Sequence, residues 1–374
     1  MNTQSYINKM KRIQNDLLDF INGMENNLND QTKIIQTVND SKDLENRYEF
    51  KSFLYLILKI ATNHCSASNL FNKITNLLNY FKDPIKQSFS NTEIFDIFES
   101  NRKLLLFLIK NEIIIVDDII YSKITSRINK NRLYDKYFYP EIKSFLSEST
   151  SNSILSELPE NFEEKREVGE NDSKICELIR NDLHKEFIIY VSQTNYPLNS
   201  HIKLSIFETN DFILKNKGET TLIEYAAFFG SIGIFTFLAL RNVHMSPSLI
   251  RYAIHGGNVA IIRRLEEKKI CSNEEYYKIG LKESIKCHHN EIADYFLNNF
   301  SNENDDQNAI ENNFKENMIY YCFHYYNFEY FPPEFNRKFD LFYACKFDFY
   351  IIVENLLKNK DLNLNEKLAF QVLI

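Results

Sequence analysis

The chain of 374 residues contains no tryptophan and little glycine, proline or cysteine, with 8, 7 and 6 residues of these types. The few glycines form neither a G-x-G-x-x-G pattern nor a P-loop, which excludes the usual phosphate-binding loops. The sequence also contains no G-x-S-x-G elbow and no H-E-x-x-H motif, the commonest hydrolase and metalloprotease signatures. We therefore expect a protein that is not an enzyme and that binds no cofactor.

Cysteine usage bears on the compartment in which the protein works. The six cysteines include no Cys-x-x-Cys pair, which is typical of a chain from a reducing compartment. Cys176, Cys322 and Cys345 fall on the apolar faces of predicted helices, so we expect small buried thiols rather than disulfides. Residues 1–10 are polar and no apolar core follows them. We expect no secretory signal and a cytoplasmic protein, with nuclear residence left open.

Charge and hydropathy exclude two further classes of partner. The formal net charge is −7, and Lys and Arg are scattered rather than gathered into a stripe, so we expect no nucleic-acid binding. The most apolar runs cover 53–61, 104–116 and 228–240. All three are shorter than the ~20 residues that span a bilayer, so we expect no membrane span.

A recurring helix-pair frame occupies the C-terminal half of the chain. It consists of a small residue, a turn residue four positions later, and apolar residues four and eight positions beyond the turn. The frame recurs at intervals of roughly 30 residues, close to the ~33 residues of an ankyrin repeat. Its copies are Ala226/Gly230/Ile234/Leu238, Ala253/Gly257/Ile261/Leu265, Ser284/His288/Ile292/Phe296 and Ala344/Asp348/Ile352/Leu356.

Each residue type in the frame has a physical reason. Small side chains let two antiparallel helices approach closely, and a glycine at the end of the first helix adopts the left-handed backbone without penalty. His288 and Asp348 occupy the same turn position at some strain. The apolar residues four apart lie on one face of the second helix and seal the core. The sequence therefore predicts an all-α fold, a helical-repeat solenoid of degenerate ankyrin-like pairs.

Composition suggests three regions along the chain. Residues 1–146 are predicted to form a helical N-terminal domain with degenerate repeat-like pairs, one of which begins near Asn91. Residues 147–173 are polar and acidic and are predicted to be a linker. Residues 174–374 are predicted to form the ankyrin-like array, with a further degenerate unit at 318–327.

The run from Thr221 to Leu238 resembles the ankyrin pattern T-P-L-H-x-A-A-x-x-G-x-x-x-I-V-x-x-L, with Leu222 in the proline place and Glu224 in the histidine place. More widely, the chain is similar to a large family of ankyrin-repeat proteins in trichomonad protists that carry a domain of unknown function. The blocks that carry this wider resemblance are 101–109, 137–143 and 223–232. The resemblance implies ankyrin-type helix pairs, and it carries no activity and no catalytic residue.

The repeat register indicates a surface for protein binding. In ankyrin-like arrays the exposed flank of the first helix forms the concave face, and a mixed row of aromatic and charged residues there suits protein recognition. We expect a non-catalytic scaffold that holds a protein partner of unknown identity on this face. The sequence leaves open that Tyr225 and Phe228 instead pack against the next repeat. The candidate partner-binding residues are Tyr225, Phe228, Tyr252, His255, Glu283, Lys286, His324, Tyr343 and Lys346.

Two other functions compete with the scaffold. One is a structural or effector-tethering module without a selective groove. The other is an enzyme that uses Cys287, His288 and His289. Adjacent residues on a helix point in different directions and do not easily converge on one ion, so no metal site is predicted there. Residues 366–374 are apolar and are expected to form a half-repeat lid or to contact another chain.

Overall fold

The computed structural model describes residues 2–23, 28–40, 46–64, 69–126, 133–302, 318–333, 335 and 338–358. These residues form an all-α structure, as the sequence predicts. They contain no strand beyond an isolated antiparallel bridge between His201 and Thr221. No helix in the described ranges has both the length and the apolar character that a bilayer crossing requires. The predicted C-terminal lid at 366–374 lies outside the described residues.

The chain forms two compact units: residues 1–77 with 271–374 make up unit 1, and residues 78–270 make up unit 2. The helices of unit 1 are α1 (Thr3–Asn22), α2 (Leu28–Asp40), α3 (Arg47–Asn63), α4 (Leu70–Tyr80, which contains the boundary), α20 (Asn273–Cys287), α21 (Asn290–Asn302), α22 (described over 318–325), a 3-10 helix (Phe328–Tyr330), α23 (Lys338–Lys346) and α24 (Tyr350–Lys358).

The helices of unit 2 begin with α5 (Lys82–Ser88), α6 (Asn91–Phe98), α7 (Arg102–Lys110), α8 (Asp118–Ser126), α9 (Leu133–Tyr137), α10 (Tyr139–Ile142), a 3-10 helix (Lys143–Phe145), α11 (Glu148–Glu157) and α12 (Phe162–Val168). They continue with α13 (Lys174–Arg180), α14 (His184–Thr194), α15 (Asp211–Lys215), α16 (Leu222–Phe228), α17 (Ile232–Leu240), α18 (Leu249–His255) and α19 (Val259–Lys268).

Residues 147–173, predicted to be a linker, instead contain α11 and α12 and lie within unit 2. The reason is a buried charge cluster. The Arg166 side chain is 1% exposed and donates to both carboxylate oxygens of Glu141, at 2.6 and 2.9 Å, and to Glu163 at 2.7 Å. Glu163 is 54% exposed, and the charge that is fully buried is that of Arg166. Pairing with the two carboxylates offsets the cost of burying it, so a segment that is polar in composition is packed. The two units also cut across the predicted 1–146 domain and 174–374 array.

Three successive helix pairs of unit 2 are α13 with α14, α16 with α17, and α18 with α19. The first helices contact one another in order, α13 with α16 and α16 with α18. The second helices do the same, α14 with α17 and α17 with α19. Unit 2 therefore has a first-helix layer and a second-helix layer, and this pattern of contacts fits a helical repeat.

The turn residues of the repeat frame have the left-handed backbone. The angle φ is 65° at Gly230, 61° at Gly257, 56° at His288 and 64° at Asp348. These values confirm the predicted helix ends, including the two positions without glycine. In three copies the amide after the turn residue donates back to the carbonyl of the small residue, as in a Schellman motif. These bonds are Ser231 N to Ala226 O at 2.9 Å, His289 N to Ser284 O at 3.0 Å and Phe349 N to Ala344 O at 2.8 Å.

In unit 2, polar side chains at the turns link one helix pair to the next. Asp182, the turn residue between α13 and α14, accepts the amides of Gly233 and Ile234 at 2.9 Å each. It thus caps the N-terminus of α17 from the neighbouring pair. Asn258 Nδ2 donates to Gly230 O at 3.0 Å. Neighbouring pairs are therefore held together turn to turn.

In unit 1, helices α1 and α3 lie along the turns of the C-terminal helices. Gln14 of α1 donates from Nε2 to Asn327 Oδ1 at 3.1 Å and accepts Phe328 N at 2.7 Å. Side chains of α3 and of His64, the residue that follows it, contact residues at or next to three successive turns. These contacts are His64 Nδ1 to Cys287 O at 2.8 Å, Tyr55 to Tyr326 with ring centroids 5.2 Å apart, and Tyr48 to Tyr350 with ring centroids 3.7 Å apart. The two ends of the described chain therefore build unit 1 together.

Candidate functional site

Helix α17 is more apolar than a helix that is only partly buried needs to be. Thr236 is its one polar side chain, and a helix that is apolar on all sides is normally buried all round. Here α17 belongs to the second-helix layer, and only Ile234, Phe235 and Leu238 are buried. Leu240 is 77% exposed, the largest value among the described large apolar side chains. Part of the apolar surface of α17 is thus left open to solvent.

The neighbouring helix α19 shows the usual arrangement. It buries Ile261, Ile262 and Leu265 and exposes Arg263 and Arg264, so its polar face meets solvent and its apolar face meets the core. The two helices have similar lengths and equivalent places in their pairs. The equivalent helices α14 and α19 each leave one large apolar side chain open, Ile189 at 54% and Val259 at 50%. Helix α17 differs from both because it carries no charged side chain.

Two arginines extend onto the exposed side of α17. Arg264 Nη1 donates to Thr236 Oγ1, and the Arg241 guanidinium lies 5.2 Å from the centroid of the Phe237 ring. Phe237 also packs edge-on against two rings of α14, and its centroid lies 6.0 Å from each. We call this surface the α17 face. Its residues are Ile232, Thr236, Phe237, Leu240, Arg241 and Arg264.

The N-terminus of α17 is fixed in place by the turn before it. Both carboxylate oxygens of Asp182 are used as acceptors for the first free amides of α17, and the negative charge suits the positive end of the helix dipole. A Cβ atom on Gly233 would lie 3.1 Å from both of these oxygens. The close approach explains the glycine, and the turn before α17 holds the N-terminus of the helix.

Five of the nine predicted partner-binding residues are buried, which corrects the expectation of an exposed row. The exposed fractions are 0% for Tyr225, 2% for Phe228, 3% for Tyr252, 0% for His255 and 1% for Glu283. Side chains with such low exposure do not meet a partner in this conformation. Tyr225 and Phe228 are packed in the interior, which is the alternative that the sequence left open for them.

The first-helix layer of unit 2 is covered by the chain itself. The connection between α14 and α16 carries α15, and the Phe212 ring of α15 lies 4.0 Å from the His255 ring, centroid to centroid. Phe212 also lies 5.8 Å from Phe228 and 4.8 Å from Tyr252. Asn216 Nδ2 donates to the Tyr252 hydroxyl at 2.8 Å. This segment covers the first helices, so the members of the predicted concave row that lie in unit 2 are part of the core.

The four other predicted residues lie in unit 1. Lys286 donates to Glu283 at 3.0 Å and is mostly covered. The remaining three gather around the Tyr320 ring: His324 Nδ1 lies 3.1 Å from the Tyr320 hydroxyl, the Tyr343 ring centroid 5.4 Å from that of Tyr320, and Lys346 Nζ 5.6 Å from it. His324 and Tyr343 are half-buried, and Lys346 is exposed.

The Cys287, His288 and His289 run forms a packed turn. Cys287 and His288 are buried, and burial lowers the pKa of His288 to about 3. The His289 ring lies 4.6 Å from that of His64, centroid to centroid. Within the described ranges, no three His, Cys, Asp or Glu side chains are placed to hold a metal ion. An enzyme that used His288 would therefore depend on an imidazole that is enclosed and weakly basic.

Two titratable groups of unit 2 are perturbed for the same reason. Burial raises the pKa of Glu208 to about 7 and that of Cys176 to about 11. Both side chains are enclosed, and Glu208 Oε1 accepts the Asn210 amide at 2.8 Å. A thiol with a raised pKa stays protonated and is a poor nucleophile. These groups are part of the packed interior.

Comparison of the chain with protein-family models, curated proteins and solved structures finds no match. Function has to follow from the described residues, among which the α17 face combines exposed apolar side chains with two arginines. Apolar contact area and arginine are enriched where proteins bind one another.

Proposed function

We propose that this chain is a non-catalytic, ankyrin-like solenoid of the cytoplasm that binds another protein, and that the partner sits on the α17 face. The recurring frame of small residue and left-handed turn supports the ankyrin-like repeat. The observation that carries the binding proposal is the 77% exposure of Leu240 on a helix that is apolar all round. The proposed position of the partner is therefore the second-helix layer rather than the predicted concave row.

The energetics favour a contact at this position. Burying an exposed leucine side chain contributes about 1.5 to 3 kcal/mol, and Ile232 and Phe237 flank Leu240 on the same side of the helix. Arg241 and Arg264 add donors that are already placed over the helix. Because Asp182 fixes the N-terminus of α17, binding orders little of this surface and loses little entropy.

The test uses two matched variants of the full chain. Leu240→Asp places a charge at the most exposed apolar residue of the α17 face, whereas Leu155→Asp changes another exposed leucine of unit 2, on α11. We expect Leu240→Asp to reduce capture of partner protein from the source cell at least about tenfold, since one apolar anchor is worth about 1.4 kcal/mol or more. Leu155→Asp should leave capture unchanged, and both variants should keep the helical circular dichroism signal.

Equal capture by both variants and the unchanged chain would contradict binding at the α17 face. It would favour a tethering module that has no selective surface in this part of unit 2. Capture that falls equally in both variants would indicate a general loss of folding, which the circular dichroism control detects.

A further inference from the structure

We infer that the partner segment on the α17 face is an amphipathic α-helix whose flanks are acidic. This inference rests on the proposed function and adds the chemistry of the partner. The observations behind it are the charges that border the α17 face, the length of its apolar stripe and the absence of a sheet edge among the described residues of unit 2.

The charges that border the face are positive. Arg264 is bonded to Thr236, and helical spacing places Lys268 on the same flank of α19, one turn further along. Arg241 follows directly after α17. Two arginines and a lysine therefore surround the position of Leu240, and a partner with carboxylates beside its apolar stripe complements them.

The carboxylates of the neighbouring helices lie elsewhere. On α19, helical spacing turns Glu266 to the flank opposite Arg264 and places Glu267 on the crest that faces solvent. On α14, His184 packs against Phe237, and Glu186, two residues later, points away from that contact. The Asp182 carboxylate is already bonded to two amides of α17. The side chains that border the α17 face are therefore positively charged.

The shape of the face suits a helix. Its apolar stripe runs from Ile232 to Leu240, a distance of about 12 Å at 1.5 Å per residue. This length matches two turns of a partner helix with anchors at i, i+4 and i+7. A peptide that binds by β-strand addition needs a sheet edge, and the described part of unit 2 contains no sheet. A helix satisfies its own backbone and presents only side chains.

The test measures binding of two synthetic peptides to the full chain by fluorescence anisotropy. Both peptides are about 18 residues long, above the length at which isolated helices become marginal, and both carry the same leucine stripe. The flanks are glutamate in one peptide and lysine in the other. We expect the glutamate peptide to bind at least about tenfold more tightly at low salt, and the difference to shrink at high salt because ions screen the exposed charges.

Adjacent arginines of α19 supply the matched variants. Arg264→Glu reverses the charge that is bonded to Thr236, whereas Arg263→Glu reverses another exposed charge one residue earlier. We expect Arg264→Glu to remove most of the preference for the glutamate peptide and Arg263→Glu to keep most of it. Leu240→Asp should abolish binding of both peptides.

Three results would overturn the inference. They are tighter or equal binding of the lysine peptide, an equal effect of the two arginine substitutions, and no binding of either peptide. None of them decides the proposed function, because that depends on whether Leu240→Asp but not Leu155→Asp loses the cellular partner. Failure of the partner chemistry and failure of the binding surface are therefore separate outcomes.

Discussion

The turns of the helix pairs are built differently in the two units. In unit 2 the left-handed positions are Asp182, Gly230 and Gly257, and the turns bond to one another. In unit 1 the corresponding left-handed residues are His288, Tyr326 and Asp348. There the turns and the residues next to them contact α1 and α3.

The difference shows what accompanies a non-glycine residue at a left-handed turn. A non-glycine residue with positive φ costs about 1 kcal/mol or more of backbone strain. In unit 1 that cost is accompanied by a tertiary contact, such as the Tyr326 ring against Tyr55 or Asp348 beside Lys51. In unit 2, Gly230 and Gly257 have no side chain that could make such a contact. The neighbouring helix pairs instead approach each other very closely. One unit relies on close packing of the pairs, and the other relies on added helices.

The largest effect is expected where two pairs of unit 2 approach most closely. A Cβ atom on Gly256 would lie 2.2 Å from Ala227 O and 3.0 Å from Phe228 O. These are backbone atoms of α16 that move only with the helix, so Gly256→Ala should lower the free energy of unfolding by about 3 kcal/mol or more. Urea denaturation followed by circular dichroism measures this.

Gly257→Ala is the matched control for that substitution. Gly257 has φ of 61°, so alanine there strains the backbone and should cost about 1 kcal/mol. We therefore expect substitution by alanine to cost more at Gly256, which lacks a positive φ, than at Gly257. A larger loss for Gly257→Ala would mean that turn conformation, not close packing, holds the pairs of unit 2 together.

The second effect concerns pH and the His288 turn of unit 1. Burial depresses the pKa of folded His288 to about 3, from 6.5 in the unfolded chain. The unfolded state therefore binds more protons below pH 6.5. The stabilising contribution is complete above that pH and is lost as the pH falls toward 3. Between pH 7 and pH 4.5 the loss from this group is about 2 to 3 kcal/mol.

His288→Asn tests that contribution, because asparagine tolerates positive φ and does not titrate. We expect the variant to lose about 2 to 3 kcal/mol less than the unchanged chain between pH 7 and pH 4.5. His64, whose pKa burial also lowers, is present in both proteins, and its charge contributes, after burial, to the depressed pKa of His288. Identical pH slopes would show that the imidazole is not enclosed as described.

The smallest effect is expected at the Asp348 turn. Asp348→Gly removes the strain of a positive φ, which is worth about 1 kcal/mol. It also removes a partly exposed ion pair with Lys51, which is worth about 0 to 1 kcal/mol. The two changes oppose each other, so the free energy of unfolding should change by less than about 0.5 kcal/mol. A loss above about 1 kcal/mol would mean that α3 is held mainly by this pair.

The local parts of this fold could be predicted from the sequence. The left-handed turn after a small residue is set by a few adjacent residues, and the frame therefore located Gly230, Gly257, His288 and Asp348 correctly. Contacts between distant parts of the chain leave no such signal in a single sequence. The cover of Phe212 over His255 and the contact of α3 with the C-terminal turns depend on long-range packing.

The candidate site shows the same division. The apolar run at 228–240 is visible in the sequence, and its length alone excludes a membrane span. A helix without a polar face was the available signal for a binding surface. Which of its residues meets solvent depends on neighbours in space, so the 0% exposure of Ile234 and the 77% exposure of Leu240 required the structure.

The joint construction of unit 1 by both ends of the chain is tested most directly by a double-mutant cycle on Gln14 and Asn327. Both side chains are fully buried, lie 313 residues apart in sequence and share a hydrogen bond of 3.1 Å. We predict that Gln14→Ala and Asn327→Ala have a coupling free energy of about 1 kcal/mol or more in urea unfolding. Effects that add to within about 0.3 kcal/mol would contradict the contact between α1 and the C-terminal turns.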